Sequence, residues 1–445
     1  MTSRFSGAIT ALVMLAVLLL SALPSRAVTI LRDPDIEHSL RQLALPLMSA
    51  AGLPTNIRIL VVKDSKLNAF VIDTRAVFIH SGLILKAKNA AEIQAVIAHE
   101  LAHIANGHIT RRLANMQRAS TGAMLGLVLA AAVGASTGDA RAAAGVAAGT
   151  SSSAQRLFFS HTRAEEASAD QAALRYLALN KIDPTAMADV LAYFSGQELL
   201  SGARQDPYVR THPLTRDRIR AVKGYAAAYK GAAQPNPQAD YWFARAKGKL
   251  GAFLQGSSFT LRKVGRNDQS DIAVMRRAIA YHRQPSGAKA IAEIDRLAGM
   301  RPNDPYVHEL RGQILLETRN YGAAVKAYGR AVNLAPRNAL ILAGYGRALL
   351  QLNTRDGNAR ALRALTDARS RDGRDPRMLR DLAVAYARAG NNGMASSVTA
   401  ERYALVGNLK TAKIHAERAV GLLPTGSPGW NRAQDVLSAA ARLRK

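Results

Sequence analysis

Glycine and proline recur at a fixed interval in the C-terminal half of this 445-residue chain. Gly312 and Gly346 lie 34 residues apart, as do Pro302 and Pro336. Tyr321-Gly-Ala-Ala-Val-Lys-Ala-Tyr-Gly-Arg-Ala-Val-Asn-Leu-Ala-Pro336 runs between the prolines. Leu409 to Pro424 is similar and keeps the same 15-residue offset, which Gly287 to Pro302 shares. A period of this length calls for stacked helix pairs rather than one compact core. Small residues let paired helices cross closely, and the proline stops the second helix. Stacking then gives a solenoid with a concave binding surface.

Period 34 with this composition is the tetratricopeptide (TPR) pattern. Four repeats are expected, at about 270–302, 303–336, 337–370 and 376–424, the last stretched. Such repeats bind peptides or proteins and rarely carry chemistry, so chemistry must be sought before them. Gly231–Gln238, with Pro235 and Pro237, reads as the linker.

The N-terminus sets the compartment. Met1–Arg4 is basic, Ala8–Leu20 is mostly apolar, and Ser25 and Ala27 stand at the −3 and −1 positions of a cleavage site. This is the anatomy of a secretory signal over residues 1–27, with an uncleaved anchor as the alternative. There is no cysteine, which excludes disulfides, thiolate metal sites and cysteine nucleophiles. Export without thiols fits a bacterial periplasm. The formal charge of +28 alone would suggest nucleic acid. No groove-binding helix or aromatic–basic motif accompanies it, so no nucleic-acid partner is expected. For an exported protein the charge points to acidic protein partners or peripheral contact with an anionic membrane.

Between signal and linker, Ile36–Ala51 reads as a helix, Ile57–Val62 as a strand, and Ala69–Ile72 with Ala76–Ile79 as a strand pair. Asn89–His108, Arg163–Ala178 and Leu214–Tyr229 read as helices, and Pro207–Pro213 as a break. Ala119–Gly138 and Ala142–Gln155 are uncharged and rich in Gly and Ala. A single membrane crossing there would put His99 and Glu166 on opposite sides, and the second stretch is too short to span. Helices or a hairpin beside the cleft, gating it or touching lipid, are expected instead.

The chemistry centres on His99-Glu100-Leu101-Ala102-His103. At i and i+4 on a helix, two imidazoles face one metal ion, and Glu100 reaches a metal-bound water. This is the zincin arrangement, with Glu100 moving the water's proton to the leaving amine. A third protein ligand is required. Asn106 and Ile109 stand where a three-histidine pattern would need Gly and His, so His108 is read as structural or as supporting a ligand. Arg163-Ala-Glu-Glu-Ala-Ser-Ala-Asp170 offers an acidic ligand. Glu166 and Asp170 share a helix face, Glu166 to bind metal and Asp170 to orient a histidine ligand, with Glu165 as the rival.

His99–His103 followed by Arg163-x-x-Glu166-x-x-Ala169-Asp170 resembles the HtpX-like gluzincin group of zinc peptidases. With the signal and the repeats, the chain resembles the BepA-like (YfgC-like) periplasmic proteases over about 30–445. The resemblance selects Glu166 over Glu165. Ser168 stands where the family usually has a further acidic residue. Thr211-His212-Pro213 with Arg218 matches a second family motif. It implies that His212 lies near the metal, either stabilising the oxyanion or occupying the open position, and that Arg218 pairs with a site carboxylate. It further implies that the strand Val77, Phe78, Ile79 acts as an edge strand holding extended substrate.

The expected fold is mainly α: a zincin-type metalloprotease domain with a small β-sheet over 28–235, then an all-α TPR solenoid over 236–445. The expected activity is endopeptidase cleavage of misfolded or misassembled envelope (outer-membrane) proteins with one Zn2+ per chain. The repeats would dock unfolded substrates or the outer-membrane assembly machinery. The other reading is a TPR-based periplasmic chaperone or scaffold whose metal site is auto-inhibited or silent.

Overall fold

The computed structural model describes residues 29–112, 114, 162–197, 207–229, 231, 233–265 and 267–442. The signal and the uncharged stretches 119–138 and 142–155 lie outside the described residues. The chain is a small sheet with packed helices, followed by a long array of helix pairs.

Helix α1 (Pro34–Ala50) starts at Asp33, whose side chain accepts from the backbone N–H of Asp35 and Ile36, with Pro34 at the first helical position. Four strands follow the order β1 (Ile30–Leu31), β2 (Arg58–Val62), β4 (Ala76–His80), β3 (Ala69–Asp73) across the sheet. β2 and β4 are parallel, while β1 and β3 pair antiparallel with their neighbours. The strand pair around Asp73 is present as expected, but its position in the sheet corrects the sequence reading. β4, carrying Val77, Phe78 and Ile79, is an interior strand bonded on both sides, and Val77 and Ile79 are fully buried. It has no backbone groups free to receive a substrate strand. Among the described residues the terminal strands are the two-residue β1 and the longer β3.

The short helix α2 (Ser81–Lys86) leads to α3 (Ala90–Ala105), the helix of the His-Glu-x-x-His motif. Asn89 caps α3 by accepting from the N–H of Glu92 at 2.9 Å, and Glu92 reaches back to the N–H of Lys88 at 2.8 Å. The two bonds fix the first turn of α3 and the residue leading into it. From Ala90 to Ile104 only Ala91 is not buried. Around α3 pack α4 (Arg163–Leu179), α5 (Thr185–Ala192) and α7 (Arg216–Tyr229), with the five-residue α6 (Pro207–Thr211) where a break was expected. α8 (Pro237–Leu254) follows the linker and buries Phe243, Ala246 and Leu250 in the same core as the sheet and α3.

From α9 (Ser257–Val264) onward the described chain is entirely helical. Five successive pairs follow among the described residues: α10 and α11 (Asp271–Arg283, Gly287–Met300), α12 and α13 (Pro305–Glu317, Tyr321–Leu334), α14 and α15 (Ala339–Gln351, Arg355–Arg371), α16 and α17 (Pro376–Arg388, Asn392–Leu405), and α18 and α19 (Leu409–Leu422, Pro428–Arg442). The stretched unit 376–424 is thus one complete pair plus the first helix of the next. The 34-residue glycines sit at the crossings. A Cβ on Gly312 would come within 2.6 Å of the Tyr328 ring, and one on Gly346 within 2.5 Å of Leu365. Four small apolar clusters run along the array, each shared between neighbouring pairs, as expected of TPR-like packing.

The array curves back to the first domain. Arg32 of the β1 segment pairs with Asp372 at 2.6 Å, and Lys249 and Arg245 of α8 join carboxylates from both sides. A cavity of about 1700 Å³ lies between, lined by Leu60 and Phe78 on the sheet and by Leu316 and Leu340 on the repeats. None of the His-Glu-x-x-His residues lines it.

Candidate metal centre

α3 presents His99 and His103 on one face, with their Nε2 atoms 3.1 Å apart. α4 brings Glu166 across, its Oε1 3.4 Å from His103 Nε2 and its Oε2 3.5 Å from His99 Nε2. His212 follows directly on α6, and its Nδ1 is 3.0 Å from Glu166 Oε1 and 3.4 Å from His99 Nε2. One ligand atom from each of the four residues lies within 4.8 Å of all the others, and all four residues are buried. Ligands about 2.0–2.1 Å from a tetrahedral zinc are spaced about 3.3 Å apart. The measured separations bracket that value, so three imidazoles and one carboxylate fit such an ion.

Glu165 is engaged elsewhere. Thr162 Oγ1 accepts from the N–H of Glu165, and Glu165 Oε2 accepts from the N–H of Thr162, a capping box that fixes the first turn of α4. That turn carries Glu166. Ser168 is exposed and accepts from Asn106 Nδ2 at 2.8 Å.

Around the four lies a supporting layer. Asp170 Oδ1 is 3.0 Å from His99 Nδ1. Arg218 of α7 holds Asp170 through two bonds, at 2.6 and 2.9 Å, and its Nη1 lies 2.5 Å from Glu166 Oε2. His108 Nδ1 is 2.9 Å from His103 Nδ1. Phe194, Tyr208 and His212 form a continuous stack, with ring centroids 4.5 and 4.7 Å apart. Sequence reading did not find Phe194 or Tyr208. Tyr208 stands four residues before His212, and no motif marks either aromatic.

Glu100 is fully buried, and neither of its oxygens has a hydrogen bond among the described residues. Its nearest ionic neighbour is His212 Nε2 at 3.4 Å. Burial raises its carboxyl above the ordinary range, partly opposed by His212 and His99. Glu166 moves the other way: its burial is outweighed by His212 and Arg218, which hold it well below the usual carboxylate range. Burial keeps His103 neutral, the form in which imidazole binds metal. His99 is also opposed by burial, but hydrogen bonds to Asp170 and Glu166 lift it to about 9. The cluster therefore favours added positive charge at its centre.

Residues 31–226 match the sequence model of peptidase family M48. The chain carries an M48 peptidase domain. Its metal cluster, Glu100 and the Asp170–Arg218 pair all fall inside the matched span. An Escherichia coli K12 relative, the beta-barrel assembly-enhancing protease, is 25% identical over 409 residues, covering 89% of this chain and 80% of that one. A Vibrio cholerae relative is 26% identical over 219 residues, 49% of this chain. This chain spans only 44% of the Vibrio protein. Among solved structures, a thermophilic TPR protein of Thermus thermophilus is 18% identical, with a TM-score of 0.26. The match covers 38% of this chain and 100% of that one. The repeat fold after the M48 domain rests on the helix pairs and glycine crossings described above. No helix among the described residues is long and apolar enough to cross a membrane.

Proposed function

We propose that this chain is a zinc-dependent endopeptidase of the bacterial periplasm that cleaves misfolded or misassembled outer-membrane proteins. The observation that carries the reading is Glu100, buried without a hydrogen bond beside four converging metal-ligand atoms. The envelope setting and substrate class are supported by the signal pattern and by the relatives' description as beta-barrel assembly-enhancing proteases.

His99, His103 and Glu166 would hold the zinc, with Asp170 fixing the ring of His99 and Arg218 fixing Asp170. When bound, zinc supplies Lewis acidity, polarising the scissile carbonyl and lowering the pKa of water. Glu100 takes the proton of the attacking water on a carboxylate oxygen and delivers it to the leaving nitrogen. A raised carboxyl pKa suits both steps. The outer edge of β3 begins beside the site, where the Ala69 carbonyl lies 3.3 Å from His212 Nε2. Substrate backbone would add there as a further strand, giving broad sequence tolerance. The functional division is taken as 28–235 for cleavage and 236–445 for docking clients or assembly partners, with α8 packed on both.

A second reading is favoured by His212, which stands among the ligands. With zinc bound, His212 would be a fourth ligand, and the enzyme would rest inhibited until the segment after α6 moved and freed the ring to face the oxyanion. Casein cleavage and bound zinc, compared between wild type and Glu100→Gln, test the main reading. The variant should keep one zinc and lose at least about a thousandfold in rate. Wild-type cleavage by the variant would refute the protease assignment. Faster basal cleavage by His212→Ala would favour the inhibited resting state, and slower cleavage the oxyanion role.

A further inference from the structure

The two zinc-facing histidines of α3 are supported differently. His99 Nδ1 meets the carboxylate of Asp170, which Arg218 clamps. His103 Nδ1 instead meets another imidazole, Nδ1 of His108, at 2.9 Å. A histidine that gives Nε2 to a metal keeps its proton on Nδ1 and must donate it. His108 Nδ1 is therefore the acceptor, and His108 carries its own proton on Nε2.

The backbone accounts for the encounter. α3 ends at Asn106, whose N–H bonds the Ala102 carbonyl at 2.9 Å. Gly107 adopts φ +69° and donates to the Ile104 carbonyl at 3.0 Å. This left-handed residue reverses the chain at once, and a new helical stretch starts at His108. Only such a tight reversal can return a side chain five residues on to the ring of His103. His108 is 2% exposed, with its ring centroid 5.0 Å from that of His103.

We propose that His108 is a positioning residue that fixes the tautomer and tilt of the ligand His103 through an uncharged acceptor. This rests on the zinc reading above. The asymmetry has a chemical sense. Glu166 and Asp170 already place two carboxylates around one guanidinium, and a third carboxylate behind His103 would add to that buried negative charge. A neutral imidazole supplies the acceptor without the charge.

The test is zinc affinity of the full chain by chelator competition, which needs no turnover. Asparagine places an oxygen where histidine has Nδ1, while leucine keeps bulk and removes the acceptor. His108→Leu should bind zinc roughly 10–100-fold more weakly, and His108→Asn should stay within about threefold of wild type. The visible spectrum of the cobalt-substituted protein should change in His108→Leu and persist in His108→Asn. Equal losses in both variants would mean a packing role and overturn the proposal, as would unchanged affinity in His108→Leu. Failure of wild type to bind zinc at all would count against the zinc assignment itself, a separate result.

Discussion

Two of the buried ionic clusters among the described residues balance their charges differently. At the metal centre, Arg218 pairs directly with Glu166 and Asp170, Arg112 acts on Glu100 and Glu166 from further away, and both oxygens of Glu100 are left without hydrogen bonds among the described residues. At the junction with the repeats, Asp33, Asp35, Asp304 and Glu309 surround Arg245 and Lys249. Arg245 bonds Asp35 at 2.7 Å and Asp304 at 2.6 Å, and Lys249 lies 3.0 Å from Asp33. Asp33 and Asp304 also cap α1 and α12, so helix N-termini share their charge. At the junction Asp33, Asp35 and Asp304 each lie within 3.0 Å of a cation, and Glu309 alone of the four lies farther, at 3.8 Å. At the M48 site Glu100 contacts no permanent cation, a local deficit of positive charge in keeping with a site that takes a divalent ion.

The comparison can be broken most sharply at the two cations. Arg218→Met strands Asp170 and Glu166, and the loss of a buried partner typically costs about 3–5 kcal/mol. Urea unfolding should show that loss in chelator and a smaller one with zinc, because the ion neutralises the same carboxylates. A zinc-independent loss would remove the proposed link between charge deficit and metal.

Lys249→Met should cost a slightly smaller amount, about 3 kcal/mol, because Asp33 and Asp35 keep helix-end and Arg245 partners. Zinc should leave its loss unchanged. If zinc restored it, the two clusters would be coupled and the contrast would fail.

Glu309 is the junction's weak point. Its Oε2 lacks a hydrogen bond and lies 3.8 Å from Lys249. Burial holds its carboxyl up to about 7. Lys249 and Arg347 pull it down, while Asp33 and Asp35 push it further up. A raised carboxyl destabilises the fold once ionised. Stability due to this group is therefore full below about 4.5, declines as pH rises, and is gone above about 7. Glu309→Gln should remove a decline on the order of 3 kcal/mol across that window. Denaturation midpoints at several pH values measure it, and a constant offset between variant and wild type would contradict it.

These clusters also mark how far sequence could be read. The i, i+4 histidines, the Asn89 cap and Glu166 with Asp170 four residues on are local patterns, so a helix places them wherever it packs. The 34-residue glycines are legible for the same reason, since each crossing repeats. Sheet order is not local. Val77–Ile79 and Ala69–Asp73 both alternate plausibly, and only the parallel pairing of β4 with β2 makes β3 an edge. Lys249 and Arg245 look like a solvated face of α8 because their partner Asp35 lies 210 residues before Arg245. Repeat boundaries blurred at 376–424, where Gly407 and Leu409 open a new pair without the earlier spacing.

The smallest expected effect separates local capping from buried pairing. Thr162 caps α4 by accepting from the N–H of Glu165 at 3.1 Å, one residue before the proposed ligand Glu166. Thr162→Ala removes that acceptor and should cost about 1 kcal/mol, with Thr162→Ser close to wild type. Because the frayed turn carries Glu166, zinc affinity should also fall, by about fivefold if the full kilocalorie is spent on reordering the turn. Asp304 performs the same capping on α12 but also pairs with Arg245, so Asp304→Ala should cost more than Thr162→Ala and leave zinc affinity untouched. Equal costs for the two caps would mean that the Asp304–Arg245 pair adds nothing, and the junction would be held by packing and helix ends alone.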